Sequence, residues 1–435
     1  MAFVIAAAWG VRGDVMPHVA IGAELRKRGH DVALVSNPFY ERPARDAGLS
    51  FVPVGTAEEY DSLVNDPGVW DRRTYLTSGA RHLLPTVEGF FRAIVRTYRP
   101  GETVLLASRP GAWIAREKLG IPAVALLSSP GLLSRIDPPH PGRPFPVWAD
   151  ALVRSRRGLR LLHALKALAT GLRVSAGGSP LPDWHWRILA EYRRVRALAG
   201  LPEQPPADAA RPALRVGLWP SWFSPPQSDW PPGLRLSGFP FHPRPPATPT
   251  APVGEESLRP VVFMRGSAAS HQRAFFERAV QCCLRLGRPG VLVTPHAAEV
   301  PAPLPPGVSH LPFARLGELF GASRAVVHHG GVGTLAYALA AGIPQVVIPI
   351  VGDQFDLGYR MERLGVGSML TQNPVSAGRL ARELRSLCSS ERVRRRCEVL
   401  RDQVDHEAGC ALTADWIEEL IASSRSRPDP DLLRA

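Results

Sequence analysis

Cysteine is scarce: there are five in 435 residues, all in the second half, with no C-x-x-C pair. An odd count without metal-type spacing excludes a disulfide scaffold and a zinc module. Cys282 and Cys283 are adjacent in a helix-like stretch, which predicts buried thiols in a reducing compartment. No window holds about 18 uninterrupted apolar residues, so no transmembrane helix is expected. The stretch from Met1 to Ala8 lacks a basic segment ahead of its apolar run and enters a glycine turn directly. It reads as a first buried strand rather than a targeting leader. No acidic pair has metal-ligand spacing, so no metal is expected. Disorder is excluded as well, because 45% apolar against 21% charged residues can bury real cores.

What is abundant is arginine. Lys plus Arg number 52 against 39 acids, a formal net charge of +13. Such a surplus suits anionic partners, or follows from a bias toward Arg, Ala and Pro. No nucleic-acid recognition motif accompanies it, so nucleic acid is not an expected partner. The stretch Leu152–Val174 carries Arg154, Arg156, Arg157, Arg160, Lys166 and Arg173 with no acid, and leucines recur at helical spacing. Two readings stand: a helix making peripheral contact with an anionic membrane, or an amphipathic helix packed on its own domain. The chain is expected to be cytoplasmic, at most peripheral at the inner face of a membrane.

Short apolar runs alternate with helical patterns, the βα signature of a parallel sheet. Strands are predicted over 3–8, 31–36, 51–54, 103–107, 123–127, 216–219 and 234–237, and helices over 19–28 and 40–46. After a Pro-dense segment the rhythm restarts, with strands over 261–264, 291–294, 325–328 and 345–348 and a helix over 272–286. Proline at that density forms neither a helix nor a central strand, so the segment reads as a stiff linker. The expected fold class is α/β: two Rossmann-like doubly wound domains facing each other across a cleft. Residues 1–238 form the acceptor-side domain, 239–260 the linker and 261–410 the second domain. A final helix over 411–424 crosses back, and 425–435 form a mobile tail. Ligands in such sheets lie at the carboxyl ends of the strands.

Two turns carry the chemistry. In Val326-Val-His-His-Gly-Gly-Val-Gly-Thr-Leu335 a strand ends at two histidines and a helix begins after three glycines. Glycines let backbone N–H groups approach an anion, and the helix N-terminus adds positive partial charge. His329 and Thr334 can donate to phosphate oxygens there. Downstream, Asp353 and Gln354 follow another strand end and suit hydroxyl-rich ligands, although Asp353 can also cap a helix. The other turn is Gly10-Val-Arg-Gly-Asp-Val-Met-Pro17. Asp14 is the candidate general base, and helix capping is its bland alternative. Arg12 and His18 lie beside it, His18 more simply as a core or surface histidine. Trp184 and Trp222 are candidates for an apolar acceptor wall, with core packing the commoner fate of tryptophan.

The HHGGVGT core, the following Ala-Ala-Gly-Ile-Pro-Gln stretch and the terminal Asp353-Gln354 pair resemble the donor signature of nucleotide-sugar-dependent glycosyltransferases of family 1, whose fold is GT-B. The GxRGDVxP turn resembles that of bacterial members acting on sterols, antibiotics and lipids. The resemblance implies that His329, Thr334, Ser267 and the backbone of Gly331, Val332 and Gly333 hold the donor diphosphate. It places Phe313, with Ala314, at the nucleobase, and Asp353 and Gln354 at the sugar hydroxyls. Plant-type members carry an acidic ribose ligand where Tyr337 stands here. Over most of the chain the sequence is similar to rhamnosyltransferases of bacterial rhamnolipid synthesis, departing from them near the donor at Arg265, His329, Thr334 and Leu357. The implied activity is inverting transfer of a hexose or deoxyhexose, from dTDP-rhamnose or a UDP-hexose, to a hydroxyl of an apolar acceptor. A hydroxyacyl lipid is the first expectation. A polyketide, sterol or carotenoid alcohol is the alternative, as is a non-catalytic partner subunit. No cofactor is implied beyond the nucleotide sugar as co-substrate.

Overall fold

The computed structural model describes residues 1–133, 183–206, 211–240, 259–266, 272–371, 374–405 and 408–425, with a few isolated positions between 155 and 168. Most of the basic helix, the bulk of the linker, Ser267 and the tail beyond 425 therefore lie outside the described residues.

Seven parallel strands build the first sheet: β1 (Phe3–Ala7), β2 (Asp31–Ser36), β3 (Ser50–Pro53), β4 (Thr103–Ala107), β5 (Ala123–Leu127), β6 (Leu214–Gly217) and β7 (Leu234–Leu236). Their order is β3-β2-β1-β4-β5-β6-β7, so the direction of winding reverses beside β1. Alternate residues of β1 serve opposite cores. Val4 and Ala6 pack with one set of helices, while Phe3, Ile5 and Ala7 pack with the other. Burial on both faces explains why these strands read as continuous apolar runs.

The second sheet holds β8 (Val261–Met264), β9 (Gly290–Val293), β10 (Val308–Leu311), β11 (Ala325–His328), β12 (Gln345–Val347) and β13 (Gly367–Met369), in the order β10-β9-β8-β11-β12-β13. It too is parallel and two-faced. Val261 and Phe263 face one cluster, Val262 and Met264 the other. Five of the strands fall where the sequence puts them to the residue: 31–36, 103–107, 123–127, 261–264 and 325–328. The helix predicted to begin at Val19 instead begins at Arg12, which sets Asp14 in its first turn. Elements without a predicted range include strands β10 and β13 and the helices Tyr75–Leu83, Ala377–Ser389 and Glu391–Gln403.

The two halves meet through an aromatic seam. Trp219, Phe223, Trp230 and Phe239 pack in one cluster with Leu335, Leu339, Leu357 and Met361 of the second half. Beside it the buried Asp356 accepts from Arg360 Nε at 2.9 Å, and the Arg360 guanidinium lies 5.7 Å from the Phe223 ring. The last helix, Ala408–Arg425, returns to the first half. Its Ala414 and Ile417 join the core under β1, and burying a side chain such as Ile417 contributes about 1.5–3 kcal/mol. Arg28 Nη1 donates to Glu418 Oε2 at 2.8 Å, and His30 Nε2 lies 3.0 Å from Glu418 Oε1.

All five cysteines are free thiols, and burial pushes Cys282 and Cys283 up to about 12, so neither is a thiolate at neutral pH. Among the described residues no helix is long and apolar enough to cross a membrane.

Candidate active site

The turns after β1, β8, β11 and β12 open into one cleft of 2090 Å³. One wall comes from the first half, the opposite wall from the second.

On the first wall, β1 ends and the chain turns at Gly10, whose φ is +128°. A side chain there would be strained, and its Cβ would sit 2.4 Å from Asp14 Oδ2. The buried Tyr40 hydroxyl donates to the Gly10 carbonyl at 2.8 Å and fixes the turn. Asp14 Oδ2 accepts from the Val11 N–H at 3.0 Å, so the carboxylate does serve the helix start. Its other oxygen stays free of that bond and lies 3.9 Å from Arg109 Nη2. The side chain keeps 42% of its surface open, yet it sits in a recess where protein replaces much of the water around it. Burial raises its pKa above the ordinary carboxylate value, while Arg109 and the Val11 N–H pull the other way.

Arg109 occupies the N-cap position of the helix Pro110–Leu119, and its side chain donates to the Trp9 carbonyl. The sequence gives little signal of this role, because only the β1–β4 pairing brings Arg109 beside Asp14. His18 lies one turn beyond Asp14 but faces inward. It is 3% exposed, its Nδ1 is 3.1 Å from the Asp14 carbonyl, and burial lowers its pKa to about 4. It is not on the cleft wall, which corrects its candidacy as an acceptor-side residue.

On the second wall, His328 and His329 separate in role. His328 is fully buried; its Nε2 lies 2.9 Å from Gln345 Oε1 and its Nδ1 accepts from the Gly330 N–H at 3.1 Å, so it braces the turn. His329 turns to the cleft, and its Nδ1 has no hydrogen-bond partner among the described residues. Burial, with His328 and Arg265 nearby, pushes its pKa down to about 3, so the ring is a neutral imidazole here. Gly331 is the N-cap of the helix Val332–Ala341, and a Cβ on it would lie 2.5 Å from His329 Nε2. The ring therefore packs directly over the glycine turn. Val332, Gly333 and Thr334 follow on the same wall, in the first turn where helix N–H groups have no internal acceptor.

Phe313 and Ala314 line the far end of the cleft. Phe313 is 68% exposed, and the Arg12 guanidinium reaches across to within 5.8 Å of its ring. Asp353 and Gln354 lie where the two walls approach. Burial, reinforced by the charge of Asp14, pushes Asp353 up to about 6, so the two carboxylates sense each other across the cleft. Gln354 Oε1 accepts from the Ile350 and Val351 N–H groups at 2.8 and 3.1 Å, so its amide NH2 is the group left for a ligand. Trp184 lines the cleft, but Trp222 does not. Trp222 packs edge-on against Phe223 and Phe239 in the seam between the halves, which corrects its placement on the acceptor wall. That wall is instead built by Trp70, Tyr75, Leu76, Leu83 and Ile188. Tyr75, Leu76 and Leu83 share one helix, and their spacing reads in sequence only as an ordinary apolar helix face. Among the described residues no cluster of His, Cys, Asp and Glu has the makings of a metal site.

Comparison with known proteins agrees with this architecture. Residues 4–96 match the glycosyltransferase family 28 N-terminal domain, and residues 291–420 match the erythromycin biosynthesis protein CIII-like C-terminal domain. The chain is 30% identical over 438 residues to O-mycaminosyltylonolide 6-deoxyallosyltransferase of Streptomyces fradiae, covering 94% of this chain and 96% of that protein. It is 27% identical to the sterol 3-beta-glucosyltransferase of Emericella nidulans over 92% of its own length, but spans only 29% of that longer protein. In fold it is similar to the glycosyltransferase VinC in complex with dTDP, with a TM-score of 0.65 at 20% identity over 97% of this chain and all of that one. The two curated relatives are named for O-mycaminosyltylonolide and for a sterol, neither for a rhamnolipid, so the finer resemblance drawn from the sequence gains no support from them. With two parallel Rossmann-like sheets, a shared cleft and a relative matched from end to end, the chain belongs to the GT-B-fold glycosyltransferases.

Proposed function

We propose that this glycosyltransferase moves a sugar, with inversion, from a nucleoside diphosphate donor to a hydroxyl of an apolar acceptor. The observation that carries the reading is that a carboxylate with a raised pKa and an anion-binding helix N-terminus face the same cleft from opposite walls. Phe313 offers its exposed ring to the base, and the amides of Val332 to Thr334 with His329 receive the diphosphate. Asp353 and the Gln354 amide meet the sugar hydroxyls.

In the reaction Asp14 accepts the acceptor's hydroxyl proton as the oxygen forms its bond to the anomeric carbon. The bond from that carbon to the diphosphate breaks, and its electron pair leaves with the diphosphate oxygen. Positive partial charge aimed at that oxygen lowers the barrier because it is in place before the charge develops. A base with a pKa nearer neutrality than an ordinary carboxylate is the better proton acceptor.

The acceptor is read as a polyketide-type or sterol-type alcohol. The aromatic and aliphatic wall of Trp70, Tyr75, Leu76 and Leu83 suits a broad apolar body, and the relatives named for a macrolide and a sterol point the same way. A hydroxyacyl lipid is the second reading, favoured by the sequence likeness to rhamnolipid enzymes. The donor base is read as thymine or uracil, with thymine supported by the dTDP complex of the similar fold. Purified protein given dTDP- and UDP-sugars with macrolide, sterol and hydroxyacyl acceptors tests this. A glycoside of inverted anomeric configuration is expected from a macrolide or sterol, and a product of retained configuration contradicts the mechanism.

A further inference from the structure

One charge in the cleft has no part in the chemistry above. Arg265 follows the carboxyl end of β8, whose pairing with β11 runs from Val261↔Ala325 to Phe263↔Val327. Continued by two residues, that register sets Arg265 beside His329, and the next residue agrees: a Cβ on Gly266 would touch the His329 ring at 3.1 Å. Arg265 is only 8% exposed. Its guanidinium lies 5.2 Å from the Phe275 ring, and its Nε and Nη2 hydrogen-bond nothing among the described residues. Among the described residues the charge that acts on it is another cation, Arg278, which lowers its pKa.

A buried guanidinium without an anion is costly, because neither water nor a carboxylate compensates its charge. Nothing among the described residues supplies that anion, yet the side chain lines the same cleft as Gly331 to Thr334. We propose that Arg265 is the standing cation of the donor site, holding the diphosphate of a nucleoside diphosphate sugar and bearing part of the charge as it departs. The inference rests on the donor reading above and extends it. His329 is neutral and can donate one hydrogen bond but no net charge. The guanidinium offers charge and a planar fork that fits phosphate oxygens. When the sugar's anomeric C–O bond breaks and its electron pair stays on the terminal diphosphate oxygen, Arg265 faces a more negative partner than before. Its contribution therefore grows along the reaction.

The test is calorimetric titration of dTDP and UDP into the wild-type chain, Arg265→Met and Arg265→Lys. Thymidine and uridine serve as phosphate-free probes, and the melting temperature of each ligand-free protein is recorded. Arg265→Met is expected to bind the diphosphates ten- to a hundredfold more weakly, the range for losing hydrogen bonds to a charged group. Its nucleoside binding should be unchanged, and its ligand-free melting temperature equal or higher, since an uncompensated buried charge has gone. Arg265→Lys should recover part of the affinity. Wild-type-like diphosphate binding by Arg265→Met overturns the proposal alone. So does a lower ligand-free melting temperature with nucleoside binding lost in step, which marks a packing role against Phe275. Failure of the wild-type chain to bind either diphosphate overturns the donor reading and this proposal with it.

Discussion

Replacing Arg109 by methionine should move the acid limb of the reaction's pH profile upward. Arg109 Nη2 lies 3.9 Å from Asp14 Oδ1. At that separation a unit charge pair is worth about 1 kcal/mol in bulk water and about 4 kcal/mol at an effective dielectric of 20. Asp14 keeps 42% of its side-chain surface open, so screening places the pair toward the lower figure. The cation favours the ionised carboxylate and so holds the Asp14 pKa down, against the larger rise that burial causes. The base works deprotonated, so activity is lost as pH falls through its pKa. Without Arg109 that pKa rises, and activity is lost at a higher pH. The assay is kcat/KM for the acceptor against pH at saturating donor. Asp353 titrates in the same cleft and its pKa is raised in part by Asp14, so the displaced limb belongs to the coupled pair, with Arg109 acting on it through Asp14. Arg109→Lys keeps the charge and should leave the limb close to its wild-type position. A limb that stays in place, or moves down, in Arg109→Met would refute the assignment of Asp14 as base.

Gly10→Ala should lower both the melting temperature and the transfer rate, because the new Cβ would displace the Asp14 carboxylate from a backbone at φ +128°. Strain of this kind costs about 1–3 kcal/mol, and a variant that melts and turns over like the parent would contradict the turn geometry. His329→Ala should weaken dTDP binding about tenfold by calorimetry, through loss of one neutral donor to a charged acceptor. Unchanged affinity would remove His329 from the cradle.

Both sheets are readable along the chain because their strands are buried on two faces and bounded by turns, as at Thr103–Ala107 and Ala325–His328. The second-wall turn is equally plain, since two histidines and three glycines exceed what a simple connection needs. What the sequence hides depends on which distant parts meet. Arg109 reaches Asp14 only because β4 pairs with β1. Trp222 is drawn into the seam by Phe223 and Phe239, so an aromatic that looks available for a ligand is used to join the halves. His18 sits one helical turn from the base, yet its inward face sends it to the core. The helix Tyr75–Leu83 has no pattern that distinguishes a ligand-facing apolar stripe from a core-facing one. Pro17 lies inside the helix Arg12–Lys27 and removes a backbone donor there, so the residues ahead of it carry no plain helical pattern.

The account depends on Asp14 acting on the acceptor's proton while the donor is held by other groups. Asp14→Asn changes that oxygen's basicity with almost no change of shape. Transfer to the acceptor and calorimetric dTDP affinity, measured side by side in the wild-type chain and this variant, separate the two roles. The predicted result is transfer reduced by at least about a hundredfold, as expected for losing a general base, with dTDP affinity unchanged. Turnover equal to that of the wild-type chain would contradict the account.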